Sequence, residues 1–426
     1  MQKVFSNQAR RERALLVGLR LTRKAEENVW ESIKELGQLA LTAGAEVQGE
    51  IIQVRDSPTA AFWIGKGKAE EVRDLCREKK INVVIFNDDL SSLQQRNLEN
   101  IIGVKVIDRT QIILDIFAQR ARSGEGKIEV ELAQLYYRLP RLTGKGVLLS
   151  QLGGGIGTRG PGETKLEIDR RQVRERISRL EKGLKEICLH RAVQRQRRKE
   201  VGLPILTLVG YTNSGKSTLL NALVDAHIPV KDQLFTTLDP TIRRVFLPDH
   251  RPVLISDTVG FIRKLPHHLI AAFRATLEEV RLADLLLHVV DASHPQIESQ
   301  IASVNEVLTE LEVSSPIITI YNKCDLLPSI VVDNLLQHSS RAVAISALYK
   351  NNLDQLLEMI MLSLPDKWEK VVFTVPYQRG EIVKSLVRQG NIISKEYREE
   401  GIWVKAEVSS DEKAKIQEYL ESKNQT

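Results

Sequence analysis

Residues 208 to 223 read "LVGYTNSGKSTLLNAL", and the reading of this stretch decides the fold. The apolar run "ILTLVG" leading into it predicts a strand, and "TLLNAL" predicts the start of an apolar helix. Between them, Gly210 and the triplet Gly215-Lys216-Ser217 have the spacing of a phosphate-wrapping loop. Such a loop turns too tightly for bulk at its glycines, and its backbone N–H groups with the helix N-terminus offer positive potential to an anion. Gly210, Tyr211, Thr212, Asn213, Ser214, Gly215, Lys216, Ser217 and Thr218 are therefore the candidate phosphate contacts. Lys216 would reach the β- and γ-phosphates, and the Ser217 hydroxyl would ligate Mg²⁺. An ordinary strand-to-helix turn is the competing reading, and the full match in strand–loop–helix context argues against it.

Three further pieces follow in order. "RPVLISDTVG" is an apolar strand ending at Asp257, with Thr258 next and Gly260 three residues on. Asp257 would hold the metal through water, and the Gly260 N–H would meet the γ-phosphate. "SPIITIYNKCD" is a second apolar strand, ending in Asn322-Lys323-x-Asp325. The Asp325 carboxylate can accept two hydrogen bonds from guanine N1–H and its exocyclic amine, a pair that adenine lacks. The Lys323 stem can lie over the base. "AVAISAL" then supplies Ser346, Ala347 and Leu348, with backbone to face the guanine oxygen. Between the first two motifs lies "DQLFTTLDPTIRR", residues 232 to 244. A loop here needs one Thr hydroxyl to complete the Mg²⁺ shell when γ-phosphate is present. Thr237 is the first choice and Thr236 the second; a plain polar loop is the alternative.

Working outward, 426 residues are too many for one ordinary core, and 42% hydrophobic content is enough to fill several. The expected class is α/β: a doubly wound, mostly parallel sheet carrying the nucleotide site, preceded by a smaller α/β domain and followed by a small α+β appendage. Residues 1–125 alternate strand-like and helix-like stretches and form the first domain. Residues 126–200 are expected to form an antiparallel helical hairpin with a glycine-rich tip. Leu166, Val173, Ile177, Leu180, Leu184 and Ile187 recur at heptad spacing and supply its seam. Residues 201–366 form the nucleotide domain and 367–426 the appendage. Three scattered cysteines lack metal spacing and fit a reducing compartment. No apolar run approaches the ~20 residues of a membrane span, and no secretory leader is evident. A cytoplasmic protein follows, with peripheral contact to a membrane left open, and a monomer is expected.

The tip is expected at residues 141 to 163, and its glycine-rich part opens the stretch "GGGIGTRGPGETKLEIDRR", residues 153 to 171. It lacks the Lys-Ser ending of a nucleotide loop, but Arg159 and Lys165 suit anions and the following helix is rich in Arg. The nucleotide motifs resemble those of translation-factor-type GTPases. With this glycine-rich stretch and the preceding α/β domain, the chain resembles the HflX family of ribosome-associated GTPases over at least residues 10 to 365. That resemblance implies GTP and GDP as ligands, GTP hydrolysis, the large ribosomal subunit and its RNA as partners, and splitting or rescue of stalled ribosomes under stress. Gly153, Gly154, Gly155, Gly157, Arg159, Gly160, Gly162, Lys165, Arg170 and Arg171 are the candidate RNA contacts, with a solvated helix face as the alternative for the arginines.

Two points stay open. The residue after the Gly260 motif, where Ras-type enzymes place a water-orienting Gln, is Phe261. Asn213 is a candidate potassium ligand that would offset charge at the phosphates; the alternative is an Asn that only shapes the loop. "FWIGKGKAEEV" places Gly65-Lys66-Gly67 before a helix, either a weak nucleotide loop or, the preferred reading, a tight turn. Other functions remain: a signalling GTPase with a protein effector, or an ATP-driven RNA remodeller using the first domain.

Overall fold

The computed structural model describes residues 12–22, 29–142, 165–200, 203–224, 234–235, 237, 241–263, 274–337, 341–364, 368–377 and 391–409, with a few isolated positions between 380 and 413. Two compact units result: Met1–Leu184 with Asp232–Leu238 and Lys264–Phe273, and Lys185–Lys231 with Asp239–Arg263 and Arg274–Thr426.

The first unit is built on strands β1 (Arg13–Leu21), β2 (Glu46–Arg55), β3 (Val83–Phe86) and β4 (Lys105–Asp108), joined by helices α1 (Val29–Thr42), α2 (Lys66–Glu78) and α3 (Ser92–Ile102). The strands pair in parallel in the order β2-β1-β3-β4. Parallel pairing forces a helical crossover between strands, which is why strand-like and helix-like stretches alternate in the sequence. Ser91 caps α3 through a full capping box with Gln94, and Gly103 closes it in a left-handed turn.

Two more helices follow, α4 (Arg109–Arg120) and α5 (Gly124–Arg138). Asp108 ties them to the sheet. Its buried carboxylate accepts from the N–H groups of Gln111 and Leu90, from the Tyr137 hydroxyl at 2.9 Å and from Arg141 at 2.9 Å. Burial pushes its pKa up, a shift that the Gln111 and Leu90 N–H groups and the Arg141 guanidinium oppose. Asp108→Ala would strand all four donors, at a cost of about 3 kcal/mol. The expected result is a lowered urea midpoint for the first unit with GDP affinity unchanged; an unmoved midpoint would refute the account. Phe235 is buried with its ring edge-on to Phe117 of α4, centroids 4.7 Å apart.

The long helix expected from Thr164 forms as α6 (Lys165–Glu200), 36 residues. Leu132, Ile177 and Leu180 are buried between α5 and α6, with Val173 and Leu184 packed against them. The expected antiparallel hairpin is nonetheless corrected. Arg176 grips Glu131 through two hydrogen bonds, 2.7 and 2.9 Å, and the Tyr136 hydroxyl donates to Glu181 at 2.5 Å. Both pairs are 45 residues apart, so positions on the two helices advance together: α5 and α6 run in the same direction. A heptad seam is equally satisfied by parallel or antiparallel partners, so spacing alone could not choose. The connection, residues 143 to 164, lies outside the described residues, and with it the glycine-rich tip.

In the second unit, β5 (Ile205–Gly210), β6 (Thr241–Phe246), β7 (Pro252–Asp257), β8 (Leu285–Asp291), β9 (Ile317–Asn322) and β10 (Ala342–Ala344) form one sheet. The order is β10-β9-β8-β5-β7-β6, and only the β6–β7 pairing is antiparallel. Helices α7 (Lys216–Val224), α8 (Arg274–Arg281), α9 (Ile297–Glu310), α10 (Ser329–Gln337) and α11 (Leu353–Ser363) connect and cover it. Leu206, Leu208, Ile255, Leu287, Ile318 and Ile320 fill one side of the sheet with α11 residues Leu356 and Ile360. The chain leaves β5 for β6 and β7 on one side and returns to β8 on the other. That reversal opens a crevice at the carboxyl ends of the strands, where ligands of such sheets bind.

Strands β11 (Trp368–Val375), β12 (Asn391–Arg398) and β13 (Gly401–Ser409) make a separate antiparallel sheet in the order β11-β13-β12. Ile382, Val383 and Leu386 are buried against one face of it, as an α+β appendage requires. The expected terminal helix lies outside the described residues. Among those described, no helix is long and apolar enough to cross a membrane.

Candidate nucleotide site

The carboxyl ends of β5, β7, β8 and β9 bring the sequence motifs together. Gly210 ends β5 at φ 151°, and a Cβ there would sit 2.2 Å from Val289 O. Gly215 has φ 95°, and its Cβ would sit 2.2 Å from Asn322 Nδ2. Both positions admit glycine only, because an added carbon would strike fixed atoms. Asn213, at the outer turn of the loop, is exposed and left-handed, φ 62°.

Lys216 opens α7 and turns back into the loop. Its Nζ donates to the carbonyls of Gly210 at 3.1 Å and Tyr211 at 2.8 Å. Burial lowers its pKa to about 8, a shift that the Asp257 carboxylate opposes. The same burial, together with the Lys216 charge, holds His288 on β8 down at about 4, so it stays neutral. Thr212 Oγ1 and Ser214 Oγ are buried without hydrogen-bond partners. Buried hydroxyls of that kind are costly unless a ligand uses them.

The Ser217 hydroxyl donates to Asp257 Oδ2 at 2.7 Å. This pair of hard oxygens suits Mg²⁺, which prefers few protein ligands beside water and phosphate oxygen. Among the described residues no group of three or more His, Cys, Asp or Glu is placed to hold a metal. Thr258 is fully buried and its hydroxyl donates to Leu208 O at 2.7 Å, so only its backbone faces the loop. Thr237 is half-buried and belongs to the first unit; Thr236 lies outside the described residues.

Phe261 explains the missing glutamine. Its N–H donates to Gly210 O at 3.0 Å and its carbonyl accepts from Thr212 N–H at 2.7 Å, while its ring is buried. The side chain belongs to the core, and the backbone zips the Asp257–Gly260 segment onto the phosphate loop. Tyr211 adds to this: its hydroxyl accepts from Arg263 N–H at 2.8 Å, and Arg263 bonds Gln296 and Ser299.

On the base side, Asn322 clamps two motifs. Its amide donates to Ser214 O at 2.9 Å, and its Oδ1 accepts from Ala347 N–H at 3.0 Å. The Ala347 N–H is thus taken by Asn322; Leu348, with an exposed side chain, follows it. Ser346 shapes its own turn by pairing with Asn351. Asp325 projects exposed from a single 3-10 turn, Cys324–Leu326. Lys323 bonds Asp291 at 2.7 Å. Sequence reading passed over Asp291, Tyr211's hydroxyl and Arg263. Asp291 carried one signal: like Asp257 and Asn322, it is the polar residue ending an apolar strand.

Arg171 and Arg179 on α6 are exposed near Glu175, and Arg176 is engaged with Glu131. Arg170 is half-buried. At the first-unit glycines, the Gly65 N–H is already spent on Gln53 Oε1 at 2.8 Å and Gly67 lies within α2. That is the geometry of a tight turn rather than of a phosphate cradle.

Fold and site together define a P-loop GTPase. Comparison with known proteins agrees: residues 30–118 match a family described as "GTP-binding GTPase N-terminal", 120–198 "GTP-binding GTPase Middle Region", and 205–323 "50S ribosome-binding GTPase". GTPase HflX of Caldanaerobacter subterraneus subsp. tengcongensis is 50% identical over 411 residues, covering 96% of this chain and 94% of that one. GTPase HflX of Escherichia coli is 41% identical, covering 91% of each. A solved structure of a GTP-binding protein from Sulfolobus solfataricus in complex with GDP is 25% identical, covers 82% of this chain and 98% of that one, and has a TM-score of 0.43. The chain belongs to the HflX family of GTPases, and it binds guanine nucleotide and hydrolyses GTP.

Proposed function

We propose that this GTPase works on the large ribosomal subunit, contacts its RNA, and promotes separation or rescue of stalled ribosomes under stress. The match of residues 205–323 to a family described as 50S ribosome-binding carries this reading. The basic run "HRAVQRQRRKE" (190–200) and the glycine-rich 153–162 segment support it as RNA-facing chemistry. GTPase rate with and without purified large subunits, in potassium buffer, tests the proposal. Stimulation should be strong and should fall with salt and with deletion of 153–162; rates indifferent to subunits would refute it.

In the proposed chemistry, loop amides and Lys216 hold the phosphates and Asp325 reads the base. Ser217, Thr237 and, through water, Asp257 would hold Mg²⁺, which would neutralise charge developing on the phosphate oxygens. With its ring buried, Phe261 does not orient the attacking water. Slow turnover alone and acceleration by a partner follow. Asn213 is proposed as a potassium ligand; equal rates in potassium and sodium would discard it.

Lys216 makes nucleotide binding pH-dependent. In the free protein its ammonium is lost near pH 8, whereas bound phosphates favour the charged form. GDP binding should take up almost no proton at pH 7 and close to one proton well above pH 8. Affinity should fall by up to about tenfold per pH unit there. Calorimetry in buffers of different ionisation enthalpy reads this directly, and zero uptake at pH 9 would contradict it.

A further inference from the structure

Asp291 ends β8 beside Asn322, its register partner on β9. Ala292 N–H donates to Asn322 O at 2.9 Å, fixing one strand end against the other. Both Asp291 oxygens are engaged. Oδ1 accepts from the Ser293 N–H at 3.0 Å and the Ser293 hydroxyl at 2.6 Å. Oδ2 accepts from Lys323 Nζ at 2.7 Å. Lys323 has φ 65° and ψ 31°, a left-handed backbone uncommon outside glycine. Its side chain is 29% exposed and that of Asp291 14%. A lysine with no task here would extend into water; this one is turned back and anchored by a carboxylate that is itself oriented.

We propose that Asp291 is a positioning residue for guanine nucleotide. By holding the Lys323 ammonium, it lays the methylene stem across the place the base takes beside Asp325. The inference rests on the reading of Asn322-Lys323-x-Asp325 as the guanine reader. Its physical content is preorganisation. A free lysine must give up rotamer freedom when a base stacks on it, whereas a lysine pinned at folding has already done so. The carboxylate also draws the charge aside, so that the apolar stem faces the ring.

The test measures GDP affinity of the full chain for Asp291→Asn, Asp291→Glu, Lys323→Met and the double variant Asp291→Asn/Lys323→Met. Asn keeps an acceptor for Ser293, and Met keeps most of the stem while removing the ammonium. Each single change, Asp291→Asn and Lys323→Met, should weaken GDP binding on the order of tenfold. The double variant should be no weaker than either, and Asp291→Glu should recover most of the loss. Wild-type affinity in Asp291→Asn, or losses that add in the double variant, would overturn the proposal, since a turn-forming role for Asp291 would not depend on Lys323. Preference of the unmodified chain for GDP over ADP is measured alongside. Its absence removes the guanine reading itself; its presence with additive losses removes only the role of Asp291.

Discussion

Asp325→Asn should lower affinity for GDP by on the order of 10³- to 10⁴-fold and raise it for xanthosine diphosphate. The carboxylate is acceptor-only, and guanine presents two donors, N1–H and the exocyclic amine, side by side. Asparagine has one acceptor and one donor group, so one guanine donor would face an N–H and both would lose their water. Xanthine replaces the amine with a carbonyl, which the asparagine amide can satisfy. The geometry makes this swap local. Asp325 is exposed on a 3-10 turn whose backbone is held by Leu326 N–H to Lys323 O at 3.1 Å and Cys324 N–H to Ile345 O at 3.2 Å. Nothing in those bonds uses the carboxylate, so the variant should fold normally. Competition of GDP, xanthosine diphosphate and ADP against a fluorescent nucleotide reads the switch; an unaltered GDP preference would remove Asp325 from base recognition.

The second unit was legible because its motifs are strand-end chemistry. Gly210, Asp257 and Asn322 each close an apolar run, and parallel strands leave such residues together at one edge of the sheet. What could not be read was anything depending on direction or on long-range partners. Val173, Ile177, Leu180 and Leu184 announced a seam, but their spacing is identical for either partner direction; the Arg176–Glu131 and Tyr136–Glu181 pairs are what reveal it. The backbone of Ser346, Ala347 and Leu348 was expected to face the guanine oxygen, but spacing gives no sign that Asn322 takes the Ala347 N–H. The fate of Phe261 was half-visible: an aromatic cannot orient water, but only the structure reveals its backbone zipped to Gly210 and Thr212.

That zipper is why Gly260→Ala should separate hydrolysis from binding. Phe261 N–H on Gly210 O and Thr212 N–H on Phe261 O press Gly260 onto the phosphate loop. A Cβ there would lie 2.9 Å from both Cα and Cγ2 of Thr212 and 3.1 Å from Lys216 Nζ. The Thr212 Cα is backbone in a loop already constrained at Gly210 and Gly215, so it cannot retreat. The segment carrying Gly260 must swing away instead, taking its N–H off the line to the γ-phosphate. A donor lost from where charge develops in the transition state costs on the order of 10²- to 10³-fold in rate. GDP has no γ-phosphate, and the groups proposed to hold it, the loop amides, Lys216 and Asp325, do not pass through Gly260. Single-turnover hydrolysis at saturating GTP should therefore fall steeply while GDP affinity moves by less than about threefold, roughly 0.7 kcal/mol. Equal losses in both would mean that the added methyl disorders the phosphate loop itself, and the separate role for the Gly260 amide would have to be given up.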